Sequence, residues 1–377
     1  MGGITYWNTE VQMSIADRLE RLRRALAPEF AGAVVAQPIH THYLSGQPPG
    51  SRAPSYVVVG PERAVLVAPG TAPGCDPVVE QVAYAAYSHS SPVDPHANAE
   101  AALIAALERA GVAGQAVAIE AEWLPQRLSA AVAARCRVGP LGNRLERQRM
   151  VKDESELALI RRAAGIIDGG FAAVRDGLRA GRTELEVYED AVRAILLAHG
   201  EPFTMECVFI SGPRTLEIVG PPTARRLERG DLLIFDVFPY LHGYKVDVTR
   251  TFCVGPATDE QRRLHATLER ALAAGAAALR PGATGGAVDA ATRGVIADAG
   301  YGAHSTHHMG HAIGLFHPER PSIVPGETLP LAEGMVITLE PGVYVPGVGG
   351  LRLEQNYVVR DGPPEALSRF PLELIEC

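Results

Sequence analysis

Twice in the second half of this chain an apolar, strand-like run stops at an acid, and a second acid returns beyond a glycine-bearing turn. The first case is GDLLIFDVFPYLHGYKVDVTRTF, from Gly230 to Phe252. Asp236 closes the run Leu232, Leu233, Ile234, Phe235. Asp247 interrupts the run from Tyr244 to Phe252, with Pro239 and Gly243 in the turn between. The second case is GMVITLEPGVYVPGVGGLRLEQ, from Gly334 to Gln355, where Glu340 ends an apolar run and Glu354 returns beyond a turn centred near Gly347. In an antiparallel hairpin, residues equidistant from the turn face each other across roughly 5 Å. Carboxylates so placed repel unless a cation or a proton lies between them, and no lysine run is near enough in sequence to supply one. Alternation along Leu351, Arg352, Leu353 and Glu354 puts Glu354 on the Arg352 face. A fold containing these segments has to neutralise four acids carried on strands.

A third segment, HHMGHAIGLF from His307 to Phe316, adds an imidazole. His311 stands between Gly310 and Ala312, small residues that let a ligand approach. One imidazole with four carboxylates suits Mn2+, Co2+, Zn2+ or Fe2+. The expectation is a centre of two divalent metal ions on Asp236, Asp247, His311, Glu340 and Glu354 that activates a water molecule. The competing reading of each residue alone is a turn acid or a structural histidine.

Composition narrows what such a centre can serve. With 377 residues and 47% hydrophobic content, the chain is too long for one typical core and suits two domains. Charged residues, 21% of the total, are spread along the chain, which argues against a disordered or fibrous class. The net charge is −8 and no Lys/Arg cluster has the density of a nucleic-acid footprint. Pairs such as Arg23-Arg24 and Arg161-Arg162 sit in helix-like segments as solvated faces. No apolar run approaches the roughly 18 residues of a membrane span, and the opening lacks the order of a signal peptide. Five scattered cysteines without a CxxC pair point to reduced thiols. The expectation is a cytoplasmic enzyme with no nucleic-acid or membrane partner.

The first 11 residues show no periodicity. Ser14 opens a helix with Leu19, Leu22 and Leu26 on one face; Gly32–Ala36 reads as a strand, and Tyr56–Gly60 and Ala64–Ala68 as a hairpin. Ala99–Ala110 and Leu124–Cys136 read as helices around a short strand at Ala116–Glu120. This alternation fits an α/β domain with a mixed sheet. A polar, basic stretch at Gly139–Arg149 reads as a linker. Asp153-x-x-Glu156 and Thr183-x-x-Glu186 read as capping boxes, the second opening a helix that buries Tyr188, Ala191, Val192, Ile195 and Leu196 and ends at Gly200. Asp259–Leu279 and Gly286–Ala299 are further helices among strands and hairpins, so the second half is α+β.

The order Asp-x10-Asp, a histidine in a GHxIG run, an EPG, and a glutamate fourteen residues later resembles the M24 "pita-bread" metallopeptidases. That family includes Xaa-Pro aminopeptidase, prolidase and methionine aminopeptidase, with non-peptidase relatives such as creatinase. RMVKDESELALIRRAA (Arg149–Ala164) is similar to the entry into the family's catalytic domain, and THYLSG (Thr41–Gly46) to the N-terminal domain of the prolidase branch. The resemblance implies a smaller α/β creatinase-N-like domain over residues 1–146 and a pita-bread catalytic domain over 147–377. It implies that Asp236 chelates one metal, His311 and Glu340 the other, and that Asp247 and Glu354 bridge both. It implies cleavage of a small peptide or amide, with Glu340 catalytic and His307 and Arg352 facing substrate. It also implies a homodimer in which the N-terminal domain caps the site; His40 and His42, beside Tyr43, read either as ordinary loop histidines or as groups reaching a partner's active site.

Two positions depart from the pattern. The peptidases carry a histidine about eight residues after an SGP motif; SGPRTLEIVGPPTAR (Ser211–Arg225) places Val219 there. A second auxiliary histidine follows the ligand histidine by seven residues; GHAIGLFHPERP (Gly310–Pro321) places Pro318 there, with His317 one residue early. In the peptidases both contact substrate or move protons. Either another histidine (His307, His308, His317 or His242) serves, His317 being the choice here, or the chain is a non-peptidase amidohydrolase or lyase on this scaffold. A binding protein or pseudo-enzyme is the third reading.

Overall fold

The computed structural model describes residues 15–48, 53–72, 74–200 and 204–377. The opening 11 residues and the helix start read at Ser14 lie outside them. The described residues fall into two compact units, one ending at Arg149 and one beginning at Met150.

The first unit runs α1 (Ile15–Leu26), β1 (Gly32–Val35), α2 (Pro38–Ser45), β2 (Tyr56–Val59), β3 (Ala64–Pro69), β4 (Val79–Tyr84), α3 (Pro95–Arg109), β5 (Ala116–Ile119), α4 (Gln126–Ala133), β6 (Arg137–Pro140) and α5 (Arg144–Met150). Its mixed sheet has the order β4-β3-β2-β1-β5-β6. The β-branched runs GAVV, YVVV and AVAI supply the central strands, and Val34, Val58, Val117, Leu103 and Leu107 form the core between sheet and helices. The stretch read as a linker instead closes β6 and forms α5, because Leu145 has a buried seat there. His40 and His42 are not loop residues either. They lie buried on α2, where His40 Nδ1 pairs with Glu120, whose other oxygen accepts the backbone N–H groups of Ala36 and Gln37.

The second unit begins with α6 (Glu154–Gly177) and α7 (Glu184–His199), each opened by a reciprocal capping box, Asp153 with Glu156 and Thr183 with Glu186. Gly200 ends α7 in the left-handed conformation. Helix α7 buries Val187, Ala191 and Ile195; Leu196, expected inside, is exposed because it lies one residue round the helix from that stripe. Then come β7 (Met205–Ser211), β8 (Leu232–Leu241), β9 (Tyr244–Lys245), β10 (Val248–Cys253), α8 (Asp259–Ala278), α9 (Gly285–Asp298), β11 (Gly310–Ala312), β12 (Glu319–Ile323), β13 (Val336–Leu339), β14 (Gly342–Val345), β15 (Gly349–Arg352), β16 (Gln355–Val358), β17 (Glu365–Ala366) and β18 (Ile375–Glu376). They form two curved sheets, β18-β10-β8-β7 and β12-β11-β13-β16-β17, and the ribbon β14-β15. This is the mixed α and β architecture of the pita-bread fold.

Strand β8 is flanked by β7 and β10 and so is buried along most of its length. Asp236 therefore sits in mid-strand rather than closing it, and Pro239 is a strand residue opposite Met205 rather than part of the turn. The turn is His242-Gly243, both with positive φ, joining Leu241 to Tyr244 in the two-residue form that suits strand twist. His242, a candidate surrogate acid–base group, is thus the first residue of a tight turn.

Candidate metal centre

Register decides how the acids meet. Asp236 pairs with Thr249 and Val237 with Val248. Asp247 is therefore diagonal to Asp236 on the neighbouring chain, not directly opposite it as the turn count suggested. Asp247 lies in the break between β9 and β10, where its peptide is held by Asn356. The N–H of Asp247 donates to Asn356 Oδ1 at 3.1 Å, and Asn356 Nδ2 donates to the Asp247 carbonyl at 2.5 Å. Glu340 and Glu354 keep the expected mirror relation, since Leu339 pairs with Gln355 and Gly342 with Arg352 on either side of them. The ladder opens at this point. Glu340 N–H turns to Met309 O (3.0 Å) and Glu354 N–H to Thr249 O (3.1 Å), so both glutamates are aimed where the sheets approach.

Donor atoms of Asp236, Asp247 and Glu354 lie within 4.8 Å of one another, as do those of Asp247, His311 and His317. Glu340 borders the cluster, with Oε1 at 3.6 Å from His311 Nε2 and 3.2 Å from His308 Nδ1. Gly310 makes room for the histidine strand: a Cβ there would stand 1.9 Å from the Thr338 carbonyl. His311 Nδ1 lies 2.9 Å from the Ala312 carbonyl, so it carries the proton and leaves the Nε2 lone pair free for a metal. Three deeply buried carboxylate oxygens, Asp236 Oδ1, Asp247 Oδ1 and Glu354 Oε1, have no hydrogen-bond partner among the described residues. Buried anionic oxygens need a partner. Divalent cations fit this donor set.

Electrostatics of the protein alone reports the same need. Burial pushes the Asp236 carboxyl well above the usual range even with Arg352 beside it, and burial with the neighbouring Asp247, Glu340 and Asp236 does the same to Glu354. Burial also acts to raise Asp247, but the imidazoles of His311 and His317 outweigh it and hold that carboxyl far down. Burial would lower His311, yet Asp247 and Glu340 bring it up to about 9.

A second layer fixes the ligands. Arg352 Nη2 donates to Asp236 Oδ2 at 2.7 Å and its Nε to Thr249 Oγ1 at 3.2 Å; Thr249 gives its one hydroxyl proton to Glu354 Oε2 at 2.8 Å. Arg352 Nη1 reaches the Tyr344 hydroxyl at 3.4 Å and the Ile218 carbonyl at 3.3 Å. His307 Nδ1 donates to the His308 carbonyl at 2.7 Å, so its Nε2 accepts from Tyr344, 3.0 Å away. Burial, the main influence on His307, keeps it neutral by lowering its pKa. Gly342 permits this approach, since a Cβ there would be 2.5 Å from His307 Nε2.

Val219 is 63% exposed on the loop after β7, and its side chain offers no proton donor. The preceding Ile218 has φ +69°, rare for a β-branched residue, with Val219 N–H turned back to Glu217 O at 2.8 Å. Glu184 organises the base of this loop. It is fully buried and accepts from Ser211 N–H and Oγ, Arg214, and Thr223 N–H and Oγ1.

Residues 158–361 match the model of metallopeptidase family M24, and residues 18–151 that of the creatinase/prolidase N-terminal domain. The chain belongs to family M24. This M24 chain is 38% identical over 232 residues to "Probable dipeptidase PepE" of Mycobacterium tuberculosis, covering 61% of this chain and 62% of that protein. It is 31% identical over 227 residues to an "Xaa-Pro dipeptidase" of Pyrococcus horikoshii, covering 60% and 65%. The matched segments thus span just under two thirds of those relatives' lengths. Among solved structures, the Xaa-Pro dipeptidase from Bacillus anthracis superposes with a TM-score of 0.82 at 25% identity, covering 96% of this chain and 99% of that one. Dipeptidase PepE from Mycobacterium ulcerans superposes at 0.79 with 29% identity and 98% of both chains. Local sequence reasoning missed Thr249, Asn356, Tyr344 and Glu184 in the M24 chain. Asn356 left one signal, the amide pair Gln355-Asn356 at the start of the buried strand QNYV.

Proposed function

We propose that this chain is a dinuclear-metal hydrolase of short peptides, of the Xaa-Pro dipeptidase or aminopeptidase type. The observation that carries the reading is the convergence of Asp236, Asp247 and Glu354, each with one buried oxygen that has no hydrogen-bond partner among the described residues, beside His311 and Glu340. The names of the similar proteins, dipeptidase and Xaa-Pro dipeptidase, support the substrate class. Asp236, Asp247, His311, Glu340 and Glu354 would hold two divalent ions, Mn2+, Co2+, Zn2+ or Fe2+ being suited to the donors. Such ions supply Lewis acidity, lowering the pKa of a water and polarising the scissile carbonyl.

This chain's own residues do the rest. Glu340 takes the proton of the attacking water. Arg352, through Asp236 and through Thr249 on Glu354, keeps both carboxylates turned toward the centre. Neutral His307 and the Tyr344 hydroxyl, linked at 3.0 Å, face the substrate amide. Burial by the surrounding strands strengthens each of these interactions by excluding water. Val219 replaces a polar contact with an apolar one at the substrate. Among the described residues no helix is long and apolar enough to cross a membrane.

Val219 also favours a second reading, an amidohydrolase or lyase acting on a small molecule, because an exposed valine cannot hydrogen-bond a peptide carbonyl. Protein loaded with Mn2+, Co2+ or Zn2+ and assayed on Xaa-Pro dipeptides, longer Xaa-Pro peptides and unrelated amides separates them. Cleavage of dipeptides alone is the expected result. Metal-loaded protein that cleaves no peptide would overturn the peptidase reading in favour of the second.

A further inference from the structure

We propose that His317 is a sixth protein ligand of the metal centre, coordinating through Nε2 the ion that Asp247 and His311 share. The inference rests on the five-residue reading above and adds a donor from a residue beside the position where the family pattern has a histidine and this chain has Pro318.

Geometry points to it. His317 Nε2 lies 2.5 Å from Asp247 Oδ2, and His311 Nε2 lies 3.4 Å from that same oxygen. Each of the three residues offers a donor atom within 4.8 Å of the other two. Ligands of one first-row ion, with bonds of about 2.1 Å, stand about 3 Å apart at right angles and about 4.2 Å apart when opposed; the 3.4 Å His311 pair already has that spacing, and the 2.5 Å His317 pair, now a hydrogen bond, opens by about 0.5 Å on that bond geometry when an ion enters. Among the described residues the second oxygen of Asp247 has no hydrogen-bond partner.

The ring is already in place. It stacks on Phe238, with centroids 5.0 Å apart and planes at 14°, and meets His311 edge-on at 4.7 Å and 81°. Its loop is anchored too. Phe316 N–H donates to Glu319 Oε1 at 3.0 Å, and Glu319 Oε2 pairs with buried Lys152 at 3.0 Å. Nε2 therefore reaches the cluster although His317 stands one residue early in sequence. A centre with two imidazoles would lean toward Co2+, Zn2+ or Fe2+ and away from Mg2+.

The test is a crystal structure of Co2+-loaded enzyme with the ions located by anomalous scattering, paired with Co2+ titrations of the parent and His317→Gln. The proposal expects His317 Nε2 about 2.0–2.2 Å from one ion. It also expects the variant to bind one of two Co2+ ions with ~10-fold or more lower affinity and an altered Co2+ visible spectrum. Loss of an outer-shell hydrogen bond could also weaken binding, so the distance decides. Two bound ions with His317 Nε2 beyond about 3 Å from both would overturn the sixth ligand and leave the five-residue centre standing. A parent that binds no Co2+ would overturn both. The distance is read on the parent enzyme and does not depend on how the variant folds.

Discussion

Arg352 places one guanidinium nitrogen 2.7 Å from Asp236 and another 3.2 Å from Thr249, whose hydroxyl in turn donates to Glu354. One cation thus orients two acids, Asp236 on β8 directly and Glu354 in the break between β15 and β16 through a threonine. Breaking a buried charge pair from one side costs about 3–5 kcal/mol. Arg352→Met should destabilise chelator-treated protein by about that much in urea denaturation, and metal affinity should fall roughly 10–100-fold. Arg352→Lys should behave alike, since an ammonium cannot span these acceptors. Parent-like stability and affinity in Arg352→Met would remove Arg352 from the site's support.

Asn356 is the next lever. Its amide satisfies both the N–H and the carbonyl of Asp247, and it is fully buried. Each buried group left unpaired costs about 1–3 kcal/mol. Asn356→Leu should lose about 2–6 kcal/mol by that reckoning, with bound metal lost in parallel. A stable variant of normal metal content would show that Asp247 needs no such brace.

Acid sensitivity outside the centre has a defined source. Glu365 on β17 accepts from Arg161 of α6 at 2.6 and 3.0 Å and from Arg360 at 2.7 Å, and these guanidiniums hold its pKa down to about 2 from 4.5. A depressed carboxylate stabilises the fold above its unfolded pKa and loses that contribution as pH falls through the folded value. Glu365→Gln should therefore be less stable than the parent at pH 7, by about 1 kcal/mol because the group is partly exposed. The gap should narrow below pH 4.5 and close near pH 2. A pH-independent gap in urea titrations would point to packing instead of charge.

The parts of the site legible in sequence are those written locally. Glu340 and Glu354 are equidistant from Gly347, and the register keeps them so. His311 is marked by its small neighbours. Capping boxes at Asp153 and Thr183 announce α6 and α7 because their partners lie three residues away. What escaped depends on partners distant in sequence. Asp236 looked like a strand end because Pro239 reads as a turn residue; only pairing with β7 shows that the strand continues. Thr249 and Asn356 gain their roles from residues 105 and 109 positions away. His317 looked misplaced by one residue, and the stacking surface of Phe238 that directs its ring comes from another strand.

The central claim is that buried, unpaired carboxylate oxygens around Asp247 exist to hold cations. Metal analysis of protein equilibrated with Mn2+ and freed of loose ions, run beside Asp247→Ala, tests it most directly. The account predicts two ions per parent chain, and near-complete loss of both metal and peptide hydrolysis in the variant. A parent chain that retains no ion, or an Asp247→Ala protein with the parent's metal content and rate, would contradict it.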